Sequence, residues 1–324
     1  MRFRTEYLAK GAGEDLLLDP ERGAVLIGSC FSDYVGERMR RSLWNACSNP
    51  CGVLYNPASI ATILHLAIAS PDERARAVEA ALFEKDGIWL SWLFDSSLAA
   101  RSQEEAFAQA IGRLENLDNM LLECRTLIIT FGTSWIYELA GMEGYIVANC
   151  HKVPASAFRR RRMSLTEIQN IWMALLLRLH LRNPKMRVIF TVSPVRHLKD
   201  GFEGNSRSKA VLLLACESLC DAMAYIDYFP AFEIITDDLR DYRFYTSDLV
   251  HPSAQAVEYV WTKFCERYLS ACSRHILSEG EKVLAALNHC PVIRIDSDKI
   301  AANQAEARSR YAEFIAAHPG MLHI

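Results

Sequence analysis

The sequence predicts an α/β protein in which helices cover both faces of a mostly parallel sheet. Four short runs rich in Val, Ile and Leu end at turn or breaker residues and have the composition of buried strands. They lie at residues 24–28, 126–132, 187–194 and 231–236. Segments with helical spacing separate them, and this alternation is typical of a doubly wound sheet. Because such sheets bind ligands at the carboxyl ends of their strands, the residues after each strand are the candidates for a site.

The remaining elements follow from capping residues and periodicity. A weaker fifth strand is predicted near residues 43–47, and a helix near Ser32 or Asp33 follows the first strand. Asn56 followed by Pro57 is typical of an N-cap and a first helical position. The segment SLTE, which begins at Ser164, forms a capping box. Long helices are predicted at residues 56–69, 103–124, 164–182, 208–225 and 252–272.

The length of the chain allows one large domain or two ordinary ones. It has 324 residues, of which 51% are hydrophobic and 23% charged, and this composition excludes disorder, collagen and coiled coil. Two stretches are additional to the elements that a minimal doubly wound domain needs. Residues 70–100 form either a lid over the site or a hydrophobic brace on its flank, and the tail carries an apolar run at 291–295 and a helical stretch at 303–318. We predict one domain over 1–276, with an insertion at 70–100, and a C-terminal extension over 277–324.

Charge and cysteine usage limit the partners. The net charge of −3 gives no global field toward nucleic acid or an anionic membrane, so we expect neither partner. The first residues have no uninterrupted apolar segment, and no stretch approaches the roughly 18 apolar residues of a membrane span. The cytosol is therefore the expected location. There the ten cysteines stay reduced, and most should be buried small hydrophobes with one reactive exception.

Cys30 is the candidate for that exception. It is the cysteine that falls between the end of a predicted strand, at Gly28, and the start of a predicted helix. Free backbone N–H groups and the positive end of a helix dipole favour the thiolate, so a depressed pKa is expected for Cys30. The alternative is a cysteine that merely packs in the turn.

A second pair of candidates lies near the other end of the chain. Asp248 precedes His251 by three residues, and Pro252 starts the predicted last long helix. At this spacing the carboxylate can hold the imidazole Nδ1–H and aim Nε2 outward as a general base. The alternative is an Asp that caps the turn with a His packed on it.

Several spaced segments together resemble the GSCFA family, which is related to the GDSL or SGNH ester hydrolases. They are IGSCFS, FGTSW and DLVHPS, supported by MRFRTE, NPCGVLYNP and NCHKVP, and they span residues 1–267. The resemblance implies a three-layer α/β/α flavodoxin-like sandwich with a mostly parallel five-stranded sheet. This expectation agrees with the alternation of strands and helices.

The resemblance also implies a catalytic site. The GDSL nucleophile motif falls on residues 28–31, which places Cys30 at the nucleophile and Ser29 at the usual aspartate. A thiolate beside a histidine is a competent acyl-transfer nucleophile, so a Cys-His-Asp variant is expected, with Cys30, His251 and Asp248 in those roles. Ser29 is the alternative nucleophile if the turn is shifted by one residue.

Further residues are expected to bind the oxyanion or the substrate. By resemblance, Gly52 matches an oxyanion glycine, Ser134 stands where the relatives have Asn, and Thr133 is a second-best donor. A serine hydroxyl rotates freely, so a weaker oxyanion site and weaker activity are expected. The loop positions expected to line the pocket are Asn149, His151, Arg196 and His197.

Two hypotheses for function remain open. The first is an SGNH-like hydrolase or acyltransferase that acts on a small-molecule or carbohydrate ester, or a thioester, without a cofactor or a metal. The second is a ligand-binding module that keeps the fold but has lost turnover. The sequence predicts no oligomeric state.

Overall fold

The computed structural model describes residues 17–289 and 297–324. The segment MRFRTE and the apolar run at 291–295 lie outside these residues.

A parallel sheet of five strands forms the centre of the molecule. Its strand order is β10-β9-β5-β1-β2, and all neighbours are parallel, which confirms the predicted flavodoxin-like arrangement. A two-stranded and a three-stranded antiparallel sheet accompany it in the described residues. The strands are β1 (Ala24–Gly28), β2 (Ala46–Ser48), β3 (Leu82–Lys85), β4 (Ile88–Ser91), β5 (Thr126–Phe131), β6 (Trp135–Leu139), β7 (Ile146–Val147), β8 (Phe158–Arg162), β9 (Arg187–Val192) and β10 (Ile226–Tyr228).

Helices connect the strands, and side chains cap the first turns of α1 to α5, α8 and α9. Asn56 accepts the Ser59 N–H as predicted, and Ser164 with Glu167 forms the predicted capping box. The helices are α1 (Cys30–Arg40), α2 (Pro57–Ala67), α3 (Pro71–Ala81), α4 (Gln103–Glu123), α5 (Leu165–Arg182), α6 (Gly201–Ala222), α7 (Ala231–Glu233), α8 (Ala254–Tyr268), α9 (Ala271–Leu287) and α10 (Ser297–Ala317).

Two hydrophobic clusters lie on opposite faces of the sheet. Along β1, Val25 and Ile27 join the cluster that contains side chains of α2, α4, α5 and α6, whereas Ala24 and Leu26 join the cluster with α1, α8, α9 and α10. Side chains alternate because successive residues of a strand point to opposite faces. The result is the expected three-layer sandwich.

Two predicted elements are wrong. Residues 231–236 form no strand but lie in α7 and the π-helix Ile234–Leu239, and the fifth strand is β10. A short apolar run fits a buried helix as well as a buried strand, so composition does not separate them. The predicted helix at 252–272 is two helices, because Ser270 caps a new start by accepting the Ser273 N–H at 3.0 Å.

The two additional segments lie at different edges of the sheet, and the insertion packs near the carboxyl edge, where Asp95 accepts the Val53 N–H after β2 at 2.9 Å. The insertion forms α3 and the β3–β4 hairpin, and its Phe83 and Trp92 rings stack at 3.7 Å between centroids. The tail covers the opposite edge, where a Cβ on Gly320 would lie 1.9 Å from the carbonyl oxygen of Glu21, just before β1. Within the described residues, no helix combines the length and the apolar character that a membrane crossing requires.

Candidate functional site

A tight turn joins β1 to α1 and presents Cys30. Gly28 has a φ of 146°, and a Cβ on it would lie 2.1 Å from the Thr130 carbonyl oxygen, so only glycine lets β1 end this close to β5. Ser29 is the N-cap of α1; it is 1% exposed, and its hydroxyl accepts the Phe31 N–H at 3.3 Å. Cys30 is the first helical residue and is partly exposed. The turn therefore presents Cys30 and buries Ser29.

Cys30 lines a cavity of about 430 Å³ at the carboxyl edge of the central sheet. The wall is built by segments that follow different elements: Thr133 comes after β5, Arg196 after β9, and His251 before α8. This is the edge where a doubly wound sheet is expected to bind its ligand. The structure thus brings Cys30 and His251 to one cavity.

His251 is held by Asp248 in the way that a general base requires. The imidazole Nδ1 lies 2.7 Å from Asp248 Oδ2, and the His251 N–H donates to Asp248 Oδ1 at 3.0 Å. Asp248 also accepts from the hydroxyl of Thr246 at 2.6 Å and the N–H of Val250 at 2.8 Å. These hydrogen bonds, first that of Thr246 and then that of His251, lower the pKa of Asp248. An ionised carboxylate accepts only, so Nδ1 carries the proton and Nε2 is left to act as a base.

The predicted depressed pKa of Cys30 is wrong for this structure. Burial raises the pKa of the thiol above its ordinary value, and the carboxylate of Asp33 in the first turn of α1 raises it further. Three groups lower the pKa: the N–H groups of Cys30 and Phe31 and the cation of Lys209. Their combined effect is smaller than that of burial and Asp33. The thiol forms no hydrogen bond with any described residue, His251 included. At neutral pH the thiol is protonated and needs a base before it can attack.

The two oxyanion donors expected from the resemblance do not face the cavity. The Gly52 N–H donates to the Asn49 carbonyl oxygen at 2.8 Å, and a Cβ on Gly52 would lie 2.5 Å from the Asp95 carboxylate. Ser134 is 0% exposed, and its N–H donates to the Ser208 hydroxyl at 2.8 Å. Thr133 does lie on the wall. Matching motifs along a chain gives positions, but it does not show which groups are already used by the fold.

Asn56, which the sequence predicts as a helix N-cap, is also a candidate oxyanion donor. Its Oδ1 accepts the Ser59 N–H at 2.8 Å, which fixes the orientation of the amide, and its Nδ2 donates to the Ser59 hydroxyl at 3.0 Å. An amide nitrogen has two hydrogens, so one remains after this bond. Asn56 lines the same cavity as Cys30. The sequence did contain a signal for this role, because Asn56 ends the loop that follows β2 and caps α2 at the edge of the sheet.

The other predicted binding residues divide into two groups. Asn149, Arg196 and His197 lie on the cavity wall. His151 does not, because it is 6% exposed and its Nε2 lies 2.8 Å from the Ser91 carbonyl oxygen. Burial is the main cause that lowers the pKa of His197 to about 4, so this imidazole is neutral at pH 7.

Aromatic rings and cations complete the wall. The guanidinium of Arg160 lies 4.2 Å from the centre of the Trp135 ring and pairs with Asp200. Lys199 Nζ lies 2.8 Å from the Tyr137 hydroxyl. Trp135, Tyr137 and the three charged residues line the cavity, which can therefore hold a ligand with both a flat face and polar oxygens.

Solved structures similar to this chain include two bacterial proteins. One is a protein from Streptococcus pneumonia assigned as a platelet activating factor, 12% identical, with a TM-score of 0.36 over 80% of this chain and 86% of the other. The second is an acetyl xylan esterase (Est2A) from the rumen bacterium Butyrivibrio proteoclasticus, 12% identical, with a TM-score of 0.35 over 75% of this chain and 62% of the other.

A comparison with curated proteins finds no match. A family model described as the GSCFA family matches residues 24–264. This range begins with β1 and ends inside α8, so it contains Cys30, His251 and the whole central sheet. The chain therefore belongs to the GSCFA family.

Proposed function

We propose that this protein is a hydrolase or acyltransferase that cleaves an ester or thioester through a nucleophilic cysteine. The observation that carries the proposal is the shared cavity of Cys30, at the first position of α1, and His251, which is oriented by Asp248. A nucleophile, a base and a carboxylate that orients the base are the parts of an acyl-transfer site. Cys30 comes from the start of α1, whereas Asp248 and His251 share the loop before α8.

In the proposed reaction, His251 Nε2 takes the thiol proton while the sulfur attacks the substrate carbonyl carbon. The C–S bond forms, the carbonyl oxygen becomes an oxyanion, and its collapse breaks the bond to the alcohol or thiol, which leaves with the proton from His251. Water or an acceptor alcohol then gives a proton to His251 and attacks the acyl-enzyme. The C–S bond breaks and the thiol regains its proton.

The raised pKa of Cys30 makes His251 necessary in this scheme. A thiol that is protonated at neutral pH cannot act as a preformed thiolate, so proton removal accompanies attack. Asp248 supports this step because its carboxylate stabilises the imidazolium that forms.

Three groups are positioned to stabilise the oxyanion. The Cys30 N–H is the first of α1 and has no acceptor within the helix, and the remaining N–H of Asn56 lies on the same wall. Thr133 supplies a hydroxyl on that wall. In other acyl-transfer enzymes the loss of one such donor costs about 2.7–4 kcal/mol of transition-state stabilisation.

The wall favours a substrate with a flat face and oxygen acceptors. The Trp135 and Tyr137 rings provide stacking surfaces, and Arg196 provides a guanidinium. An O-acylated carbohydrate presents these features. The relation of the GSCFA family to the GDSL ester hydrolases supports the same class.

A ligand-binding module without turnover is the second candidate. The observations that favour it are the raised pKa of Cys30 and the missing hydrogen bond between Cys30 and His251. In this case esters would bind in the cavity and remain intact.

A panel of small esters, acetylated sugars and thioesters separates the two candidates. Wild-type protein should release acid or transfer acyl groups, and Cys30→Ala should abolish this activity while Ser29→Ala retains at least part of it. Cys47→Ala is the matched control, because Cys47 is also half-buried but lies in β2 outside the cavity. Activity that survives in Cys30→Ala would refute the assignment of the nucleophile. Binding without product from any substrate of the panel would favour the module.

A further inference from the structure

Lys209, on α6, carries a buried amino group at the carboxyl edge of the central sheet. Its side chain is among the largest fully buried ones, with 1% of the residue exposed. Nζ donates to the carbonyl oxygens of Gly132 and Ser193, both at 2.6 Å. These residues follow β5 and β9, neighbouring strands of the central sheet, so one ammonium joins the two segments that leave the sheet at its carboxyl edge.

This cation has no carboxylate partner. Among the described residues, no Asp or Glu oxygen lies within 4.0 Å of Lys209 Nζ, and two neutral carbonyl groups are its hydrogen-bond partners. Burial of an ammonium without an opposite charge is costly, and this burial lowers the pKa of Lys209 to about 7. The negative charge of an ionised Cys30 raises the pKa of Lys209 and so opposes the effect of burial. The effect is mutual, since the cation of Lys209 lowers the pKa of Cys30.

We propose that Lys209 is a positioning residue whose buried ammonium stabilises the Cys30 thiolate as it forms and fixes the Gly132 and Ser193 segments around it. The inference deepens the proposed function by adding a charge partner to the nucleophile. It concerns the ionisation of the thiol, so its tests need no substrate and stand even if the protein turns nothing over.

A purely structural lysine would give a different result. If Lys209 only bridges two carbonyl groups, its removal changes the free energy of unfolding but not the pKa of Cys30. That pKa is then set by the other groups around the thiol. Those groups come from every segment that faces it: Asp33 and Tyr34 of α1, Tyr55 before α2, His197 after β9, and His251 before α8.

The first test measures the reactivity of Cys30 in Lys209→Met. Iodoacetamide labelling is followed from about pH 6 to pH 10 by mass spectrometry of the tryptic peptide 23–38, in which Cys30 is the only cysteine. We expect labelling at about pH 6.5 to be roughly tenfold slower than in wild type, because an opposite charge nearby is worth about one pKa unit or more. The two rates should converge at high pH. Lys282→Met, which removes an exposed cation of α9, should match wild type throughout.

Equal profiles for Lys209→Met and wild type would overturn the proposal. Circular dichroism shows whether the variant folds, and a second measurement decides the question if it does not. In protein labelled with ¹³C at lysine Cε, Lys209 is identified by its midpoint of about 7. Cys30→Asp places a fixed negative charge at the thiol position and should raise this midpoint, whereas the uncharged control Cys30→Asn should not. The same midpoint in both variants would overturn the proposal.

Discussion

The guanidinium of Arg38 lies 2.6 Å from the Glu281 carboxylate and thereby connects the helix that begins at Cys30 to the C-terminal tail. The same guanidinium donates to Glu258 of α8 at 2.7 Å. Arg38 therefore joins α1, which begins at Cys30, to α8, which begins shortly after His251, and to α9. Only 15% of the Arg38 side chain is exposed.

Arg38→Met should lower the free energy of unfolding by about 1–2 kcal/mol, since it removes charge-assisted hydrogen bonds whose carboxylates are partly exposed. Urea denaturation followed by circular dichroism measures the change. Arg41→Met is the matched control on the same helix: its pair with Glu37 is exposed, so the loss should stay below about 0.5 kcal/mol. Equal losses of unfolding free energy in the two variants would show that the contacts of Arg38 with Glu258 and Glu281 add no particular stability.

Asp33→Asn should lower the pKa of the Cys30 thiol. Its carboxylate lies in the first turn of α1 and disfavours the thiolate, so the neutral amide lets the thiol ionise at lower pH. Alkylation of the peptide 23–38 across pH should then show a midpoint below that of wild type. Glu37→Gln, one turn later on the same helix, should leave the midpoint nearly unchanged, because Glu37 is not among the main groups that shift the pKa of Cys30. A midpoint that stays the same or rises in Asp33→Asn would count against the electrostatic account of this turn.

Asp248→Asn should reduce ester turnover while preserving the fold. An amide can present its N–H to Nδ1 and select the wrong imidazole tautomer, and in a serine protease the equivalent change lowers kcat about 10⁴-fold. We expect a loss of about 10²-fold or more in kcat, with substrate binding little changed. The control is Asp241→Asn, an exposed aspartate that caps a neighbouring turn outside the cavity. Full activity in Asp248→Asn would show that His251 needs no carboxylate.

His197 should make the protein less stable in acid. Its pKa is about 4 in the folded protein and about 6.5 in the unfolded chain, so the unfolded chain binds more protons between these values. The free energy of unfolding therefore falls as the pH drops from about 6.5 toward 4, by up to about 3 kcal/mol from this residue. His197→Phe keeps a ring but cannot titrate, and urea denaturation at several pH values should show a flatter dependence. An unchanged slope would place the neutral state of His197 in doubt.

Much of the fold could be predicted from short-range patterns. Buried apolar runs identified three strands of the central sheet, and the weaker candidate near residues 43–47 overlaps β2. Capping side chains located the starts of α2 and α5. The fifth strand was missed because β10 has three residues and carries Asp227, whose charge is matched by Arg267 of α8. Such a pairing depends on residues distant in sequence, and no local pattern reveals it.

The candidate site was predicted in part. Cys30, Asp248 and His251 could be found because each lies at a position that the topology sends to the carboxyl edge. Gly52 and Ser134 occupy the right segments, but their donors are used by Asn49 and Ser208. The environment of the thiol could not be predicted either, because its desolvation arises from segments that meet only in three dimensions.

The position of Trp135 beneath Arg160 provides an optical signal from the cavity itself. The indole fluorescence of this residue depends on the cation above it and on the water around it, and a ligand that enters changes both. Comparison of wild type with Trp135→Phe isolates its emission from that of the other tryptophans. Ligand binding in the cavity can then be followed over time whether or not the ligand is cleaved. The same assay therefore serves both candidates, the enzyme and the binding module.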